Sequence, residues 1–148
     1  MSGNNSQGYR LEQGLGHWAA RLSWALRGAM ETLLKPLGLT PPMMAALLAV
    51  DGGAERAADL AQVMGVDAAA ITRLMERMGE AGLVSRCELK GDRRSRRISL
   101  SDKARGLLPR LRAAAAELDQ EMGKGLGPQE LAALKERMQA LAAKAERL

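Results

Sequence analysis

The sequence predicts a mostly α-helical fold built around a winged helix-turn-helix. Three observations predict it. Ala, Leu and Met fill most apolar positions, with no Phe and a single Tyr, and these three are strong helix formers. Two short segments with helical apolar spacing meet at Gly65, the pattern of a helix-turn-helix. Just after them, residues 86–97 gather six bases (Arg86, Lys90, Arg93, Arg94, Arg96 and Arg97) against two acids, Glu88 and Asp92. That surplus of four is nearly the whole formal charge of +5, and a basic hairpin beside a recognition helix is what contact with a phosphate backbone needs.

Each element follows from local signals. Residues 1–8 are polar and Gly-rich, as a frayed tail is. From residue 9 to about 35, Leu11, Leu15, Trp18, Leu22, Leu26, Ala29 and Leu33 recur at spacings of three and four, which predicts one long amphipathic helix. Pro36 and Gly38 stop it. Thr40 then caps a second helix, with Pro41 at its first position, running to about Asp51 before Gly52 and Gly53. A third helix over about 55–64 presents Ala58, Leu60, Ala61 and Met64, and Gly65 suits the left-handed residue past its end. Val66 is expected to be the buried turn residue, with Asp67 capping a fourth helix. There Ile71, Leu74, Met75 and Met78 form a core stripe, while Ala68, Ala69, Thr72, Arg73, Glu76, Arg77 and Glu80 form the opposite face. A helix that enters the major groove nose first needs such small residues at its N-terminus.

Gly82 ends the fourth helix. Leu83 and Val84 start a strand, 86–97 reads as a basic loop, and residues 97–100 alternate polar and apolar as an edge strand does. Ser101 caps a fifth helix that Leu107, Leu108, Leu111, Ala115, Leu118 and Met122 carry to about Lys124, and Pro109 inside it predicts a kink or a broken first turn. After a turn at 125–128, Pro128 opens a last helix in which Leu131, Leu134, Met138, Leu141, Ala145 and Leu148 form an a/d heptad seam. A chain of 148 residues has little else for a terminal seam to cover, so the seam is expected against a second subunit; the alternative is an intramolecular core face.

Composition excludes several function classes. A sequence pI near 9.9 makes nucleic acid or another polyanion the natural partner. A single Cys rules out an intramolecular disulfide and points to a reducing, cytoplasmic setting. No apolar run approaches the roughly 18–20 residues of a membrane span, and residues 1–10 lack the apolar core of a signal peptide. One His and one Cys cannot build a structural site of N/S metal ligands, and no nucleophile and base stand in a known motif. The expectation is therefore no enzyme, no cofactor and no metal.

The residues then carry a resemblance. A long helix is followed by LTPPMMAALLAV, ADLAQVMGV and ITRLMERMGEAGLVSR, then by GDRRSRRISLSDKA and two helices. This order resembles the multiple-antibiotic-resistance regulator (MarR) family of transcription factors over nearly the whole chain. The most specific pieces are Asp92-Arg93-Arg94 leading to a strand that ends Leu100-Ser101, where the family has Asp-x-Arg and then Leu-Thr, and the run from Thr72 to Val84. The resemblance implies one domain over 1–148, with dimerisation helices at 9–35 and 102–148 and a winged lobe at 40–101. It implies a homodimer, with Leu11, Leu15, Leu131, Leu134, Met138 and Leu141 at the interface. It implies DNA contact by Ala69, Thr72, Arg73 and Arg77 on the recognition helix and by Arg86, Lys90, Asp92, Arg93, Arg94 and Arg96 on the wing. Arg94 matches the wing-tip Arg that enters the minor groove, and Asp92 the Asp that holds neighbouring Arg residues.

The chain departs from the family's pattern where Ala69 and Ala70 replace the usual Ser or Thr, leaving only apolar contact, for instance to a thymine methyl. It departs again at Ala104, where a Gly is usual. The resemblance also implies a ligand cleft in which His17, Trp18 and Arg21 meet Met43, Met44 and Leu47. Met adapts to varied ligands and Arg21 suits a carboxylate; the alternative is that these are core and dimer contacts. The reading is a cytoplasmic, homodimeric repressor of a pseudo-palindromic double-stranded operator, responsive to a small anionic or aromatic effector, with no membrane partner. The alternatives are a redox-responsive repressor acting through Cys87 and a winged-helix module for non-specific DNA or protein contact. A metal-sensing repressor is disfavoured by the shortage of Cys and His.

Overall fold

Caps and stops set the boundaries of the elements. The computed structural model describes residues 8–89 and 92–148, and their side chains outside 86–95. In chain order these residues form α1 (Leu15–Leu34), α2 (Pro41–Asp51), α3 (Ala57–Met64), α4 (Ala68–Glu80), the antiparallel strands β1 (Val84–Leu89) and β2 (Asp92–Leu100), α5 (Asp102–Gly123) and α6 (Pro128–Ala145). Short 3-10 turns at Leu11–Gln13 and Lys35–Leu37 flank α1. This is the mostly helical winged helix-turn-helix that the sequence predicts.

Thr40 Oγ1 accepts from the Met43 N–H at 3.5 Å, and Asp67 Oδ1 accepts from the Ala70 N–H at 2.7 Å. Each satisfies a donor that a helix start would otherwise leave open. At the start of α5, Ser101 Oγ accepts from the Ala104 N–H and donates to the Gly82 carbonyl. Gly65 sits at φ 66° and Gly82 at φ 68°, the left-handed conformation that favours a residue without Cβ. The first lets α3 turn sharply into α4, and the second turns α4 into β1.

Two compact units, Met1–Ala114 and Ala115–Leu148, divide the chain. In the first, Leu34, Leu47, Leu60, Ile71, Met78, Leu83 and Leu111 are fully buried. They come from α1, α2, α3, α4, the turn before β1, and α5, so one apolar core holds the helix-turn-helix against its neighbours. Ser101 N–H donates to the Leu83 carbonyl at 2.9 Å and Lys103 Nζ to the Ala81 carbonyl at 2.9 Å. These bonds fasten the far end of the wing to its beginning. In the second unit, Glu130 Oε2 accepts from the Gly127 N–H at 3.1 Å to cap α6, and Lys135 pairs with Asp119 at 2.9 Å. None of the α6 residues is buried.

Five local expectations need correction. The first helix does not run unbroken from residue 9. Gly14 adopts an extended conformation at φ −80°, ψ 131°, so Leu11 lies in a 3-10 turn and α1 begins at Leu15. The third helix begins at Ala57 rather than 55, because Asp59 Oδ2 takes the N–H groups of both Glu55 (3.0 Å) and Arg56 (2.9 Å) and fixes the helix start there. Val66 is not buried; it is 40% exposed, since Gly65 turns its backbone N–H onto Ala61 O and leaves the side chain outward. The segment read as a basic loop at 86–97 is mostly paired strand, with Arg86 opposite Ile98 and Cys87 opposite Arg97. Finally, α5 runs as one helix through Pro109, so its first turn is not broken there. Leu108 and Leu111 on either side are buried, so packing outweighs the hydrogen bond that proline removes.

Candidate nucleic-acid interface

The candidate surface is built on α4. Its core stripe is complete, with Ile71, Leu74, Met75 and Met78 at most 3% exposed, so the opposite face is held outward by packing rather than by chance. On that face Ala69, Thr72, Arg73, Glu76, Arg77 and Glu80 are all exposed. The helix starts at its Asp67 cap, which leaves Ala68 and Ala69 as a small-residue tip. Thr72 Oγ1 donates to the Ala68 carbonyl at 3.0 Å. Its hydroxyl hydrogen is thereby spent within the helix, while its oxygen lone pairs stay free to accept. Among the described residues, neither Arg73 nor Arg77 forms an ion pair with Glu76 or Glu80, so both guanidinium groups project unneutralised from the helix.

Beside α4, the wing rises on β1 and β2. Ile98 and Leu100 turn inward, at 4% and 9% exposure, and β1 packs along α4. The strands alternate faces, so Arg97 stands on the side opposite Ile98. It donates from Nη2 to Glu55 Oε1 at 2.6 Å. Arg96 is exposed and already has an interaction partner. Lys90 lies outside the described residues, as do the side chains of Arg86, Cys87, Asp92, Arg93 and Arg94. The hairpin pairs Glu88 with Arg96 and Leu89 with Asp92 across an irregularity in register, on a stem anchored to the helix-turn-helix.

The other sequence-predicted residues fall in two groups. His17, Trp18 and Arg21 gather on α1: the His17 and Trp18 rings meet edge to face at 5.2 Å, and Arg21 lies over the indole at 5.8 Å. Trp18 Nε1 donates to the Glu12 carbonyl at 2.7 Å, tying the 3-10 turn to α1. Met43, Met44 and Leu47 instead lie in the core, at 9%, 7% and 0% exposure. The apolar residues expected at a subunit interface are largely uncovered. Leu11 and Leu15 are 66% and 65% exposed, and Leu134, Met138 and Leu141 about as exposed as one another at 45–46%. Leu131 is half-buried, against Gly123 in its own unit.

Sequence reasoning missed a polar cluster behind the wing. A cleft of about 290 Å³ there is lined by Asp51, Glu55, Arg97, Ser99 and Arg105, among others. Its charges are matched internally: Arg97 with Glu55, Arg112 with Asp51, and Arg105 with Asp102 at 3.7 Å. Such a cleft joins α2, β2 and α5 rather than inviting a charged ligand. Its partners are 42 and 61 residues apart in the chain, beyond the reach of any local pattern.

Comparison with known proteins points the same way. Residues 37–95 match the model of the MarR family. A probable transcriptional regulator from Pseudomonas aeruginosa is 27% identical, with a TM-score of 0.80 over 89% of this chain and 99% of that one. A MarR family protein of Mycobacterium tuberculosis, solved in complex with salicylic acid, is 26% identical, with a TM-score of 0.67 over 86% of this chain and 96% of that one. A mutant MarR from E. coli complexed with operator DNA shares the fold at 23% identity, with a TM-score of 0.78 over 86% and 92%.

Proposed function

We propose that the chain is a transcriptional regulator of the MarR family, whose model its residues 37–95 match, and that it is a homodimeric, ligand-responsive repressor that binds a pseudo-palindromic operator. The observation that carries this reading is the outward face of α4, small at Ala69 and basic at Arg73 and Arg77, set beside a wing rich in Arg. Ala69 and Thr72 approach base edges, and Arg73 and Arg77 reach bases or phosphates. On the wing, Arg94 enters the minor groove, where a narrow electronegative channel suits a guanidinium. Arg86, Lys90, Arg93 and Arg96 neutralise flanking phosphates, with Asp92 bracing its neighbours. None of this is chemistry on a substrate, and the chain acts by binding alone, in the cytoplasm. No single helix among the described residues is long and apolar enough to cross a membrane.

The uncovered seam on α6, and separately the exposed Leu11 and Leu15, support dimerisation. A second copy would remove that apolar surface from water, and the dimer would present two recognition helices. Both fit one face of the duplex when half-site centres lie about one helical turn, roughly 10 base pairs, apart. The effector class is a small aromatic or anionic molecule; the salicylic acid complex of the Mycobacterium tuberculosis relative supports it. The proposed contacts are the His17–Trp18–Arg21 cluster on α1, while the buried Met43, Met44 and Leu47 serve the core. A ligand that favours a different lobe spacing lowers operator affinity by population shift without touching DNA. The test is retention of sheared genomic DNA by the protein in the presence of competitor. Enrichment of a few fragments sharing one inverted repeat is expected; uniform retention of all fragments would leave only a non-specific binder.

A further inference from the structure

The wing's basic residues are not equivalent, because one of them is already answered by the body of the protein. Arg97 Nη2 donates to Glu55 Oε1 at 2.6 Å, and the two side chains remain about half exposed, at 47% and 52%. Glu55 is held on three sides. Its N–H donates to Asp59 Oδ2 at 3.0 Å, its carbonyl accepts from the Ile98 N–H at 2.8 Å, and its carboxylate takes Arg97. One backbone hydrogen bond thus ties residue 55 to β2, and with the Asp59 bond it holds the Glu55 backbone where its carboxylate reaches Arg97. Asp59 provides the fixation while also capping α3, so the helix-turn-helix itself places this carboxylate.

A half-exposed ion pair adds little to stability. Its consequence is electrostatic. DNA affinity of a basic surface scales with the number of phosphates it neutralises, and Glu55 cancels the base nearest the root of the wing. We propose that Glu55 is a positioning residue that withholds Arg97 from phosphate and confines the wing's backbone contacts to the bases beyond it. The effect is a cap on sequence-independent affinity, which leaves discrimination to α4 and the distal wing. This inference rests on the reading of the chain as a DNA binder.

Full-length protein tests it in four forms: the parent, Glu55→Gln, Arg97→Gln and the double variant. Both positions are exposed, and the Ile98–Glu55 backbone bond survives either substitution. The probe is a fluorescein-labelled duplex of mixed sequence, and anisotropy titrations at several salt concentrations give the slope of log K against log salt. Freeing Arg97 adds up to one phosphate contact, so Glu55→Gln should bind more tightly with a slope steeper by about 0.9. Arg97→Gln and the double variant should both keep the parent slope. A merely structural role for the pair would not produce that pattern. A slope shallower by about 0.9 in Arg97→Gln would show that Arg97 already contacts phosphate and would overturn the proposal. So would a parental slope in Glu55→Gln, or a steeper slope that persists in the double variant. If the parent itself binds no duplex, the DNA-binding reading and this inference fall together; a salt-dependent parent with an unresponsive Glu55→Gln removes the inference alone.

Discussion

Replacing Asp67 by Ala removes the cap of the recognition helix, and the structure sets the size of the effect. Asp67 Oδ1 lies 2.7 Å from the Ala70 nitrogen, and no other described side chain is bonded to that N–H. Losing an Asp cap to Ala costs about 1 kcal/mol, within a range of about 0.5–2. For a chain of 148 residues each kcal/mol lowers the melting temperature by about 2–4 °C, so Asp67→Ala should melt about 2–4 °C below the parent. Asn caps about as well as Asp and forgoes only the charge–dipole part. Asp67→Asn should therefore lose less than half as much. The assay is thermal unfolding by far-UV circular dichroism, with protein concentration held equal because dimerisation shifts apparent stability. Well below the transition, Asp67→Asn should bind mixed-sequence DNA at least as tightly as the parent, since it removes an acid from the helix tip. The reasoning fails if Asp67→Ala melts with the parent, or if Asp67→Asn falls as far as Asp67→Ala.

Three further outcomes are expected. Leu60→Ala should cost about 2–5 kcal/mol in urea unfolding, because Leu60 is fully buried between α3 and its neighbours and its removal leaves a cavity; a loss under about 1 kcal/mol would mean that the core is not closed there. Replacing Leu134 and Leu141 together by Glu should shift sedimentation from dimer to folded monomer, and an unshifted dimer would assign the α6 seam elsewhere. Cys87→Ser should bind DNA like the parent and remain as responsive to whatever small molecule relieves repression, since Cys87 has no resolving thiol in its own chain; in titrations with and without peroxide, release of DNA by the oxidised parent but not by the Ser variant would establish the redox alternative.

What the sequence made legible was local. Thr40, Asp67 and Ser101 could be read as caps because a cap and its target lie three residues apart. The stripe Ile71–Leu74–Met75–Met78 could be read because helical period and burial coincide in a helix packed on one side only. What was missed depends on distant partners or on backbone conformation. Gly14 interrupts an apolar period that continues across it. Val66 looks like a buried turn residue until the left-handed Gly65 swings it outward. Residues 86–97 read as a loop because charged strands on an exposed hairpin lack alternation. At the candidate site, the outward face of α4 was legible, but the pairing of Glu55 with Arg97 and of Asp51 with Arg112 was not, since neither acid carries a pattern that names its base.

The most direct test of the central claim compares one duplex selected from genomic DNA with a mixed-sequence duplex of equal length, titrated at the same physiological salt. A specific regulator binds its site about 10³–10⁷ times more tightly than other DNA, with two chains per site and half-sites roughly 10 base pairs apart. A ratio in that range at two chains per duplex is the result expected here; equal affinity for both duplexes, or saturation at one chain per site, would contradict a sequence-specific dimeric regulator.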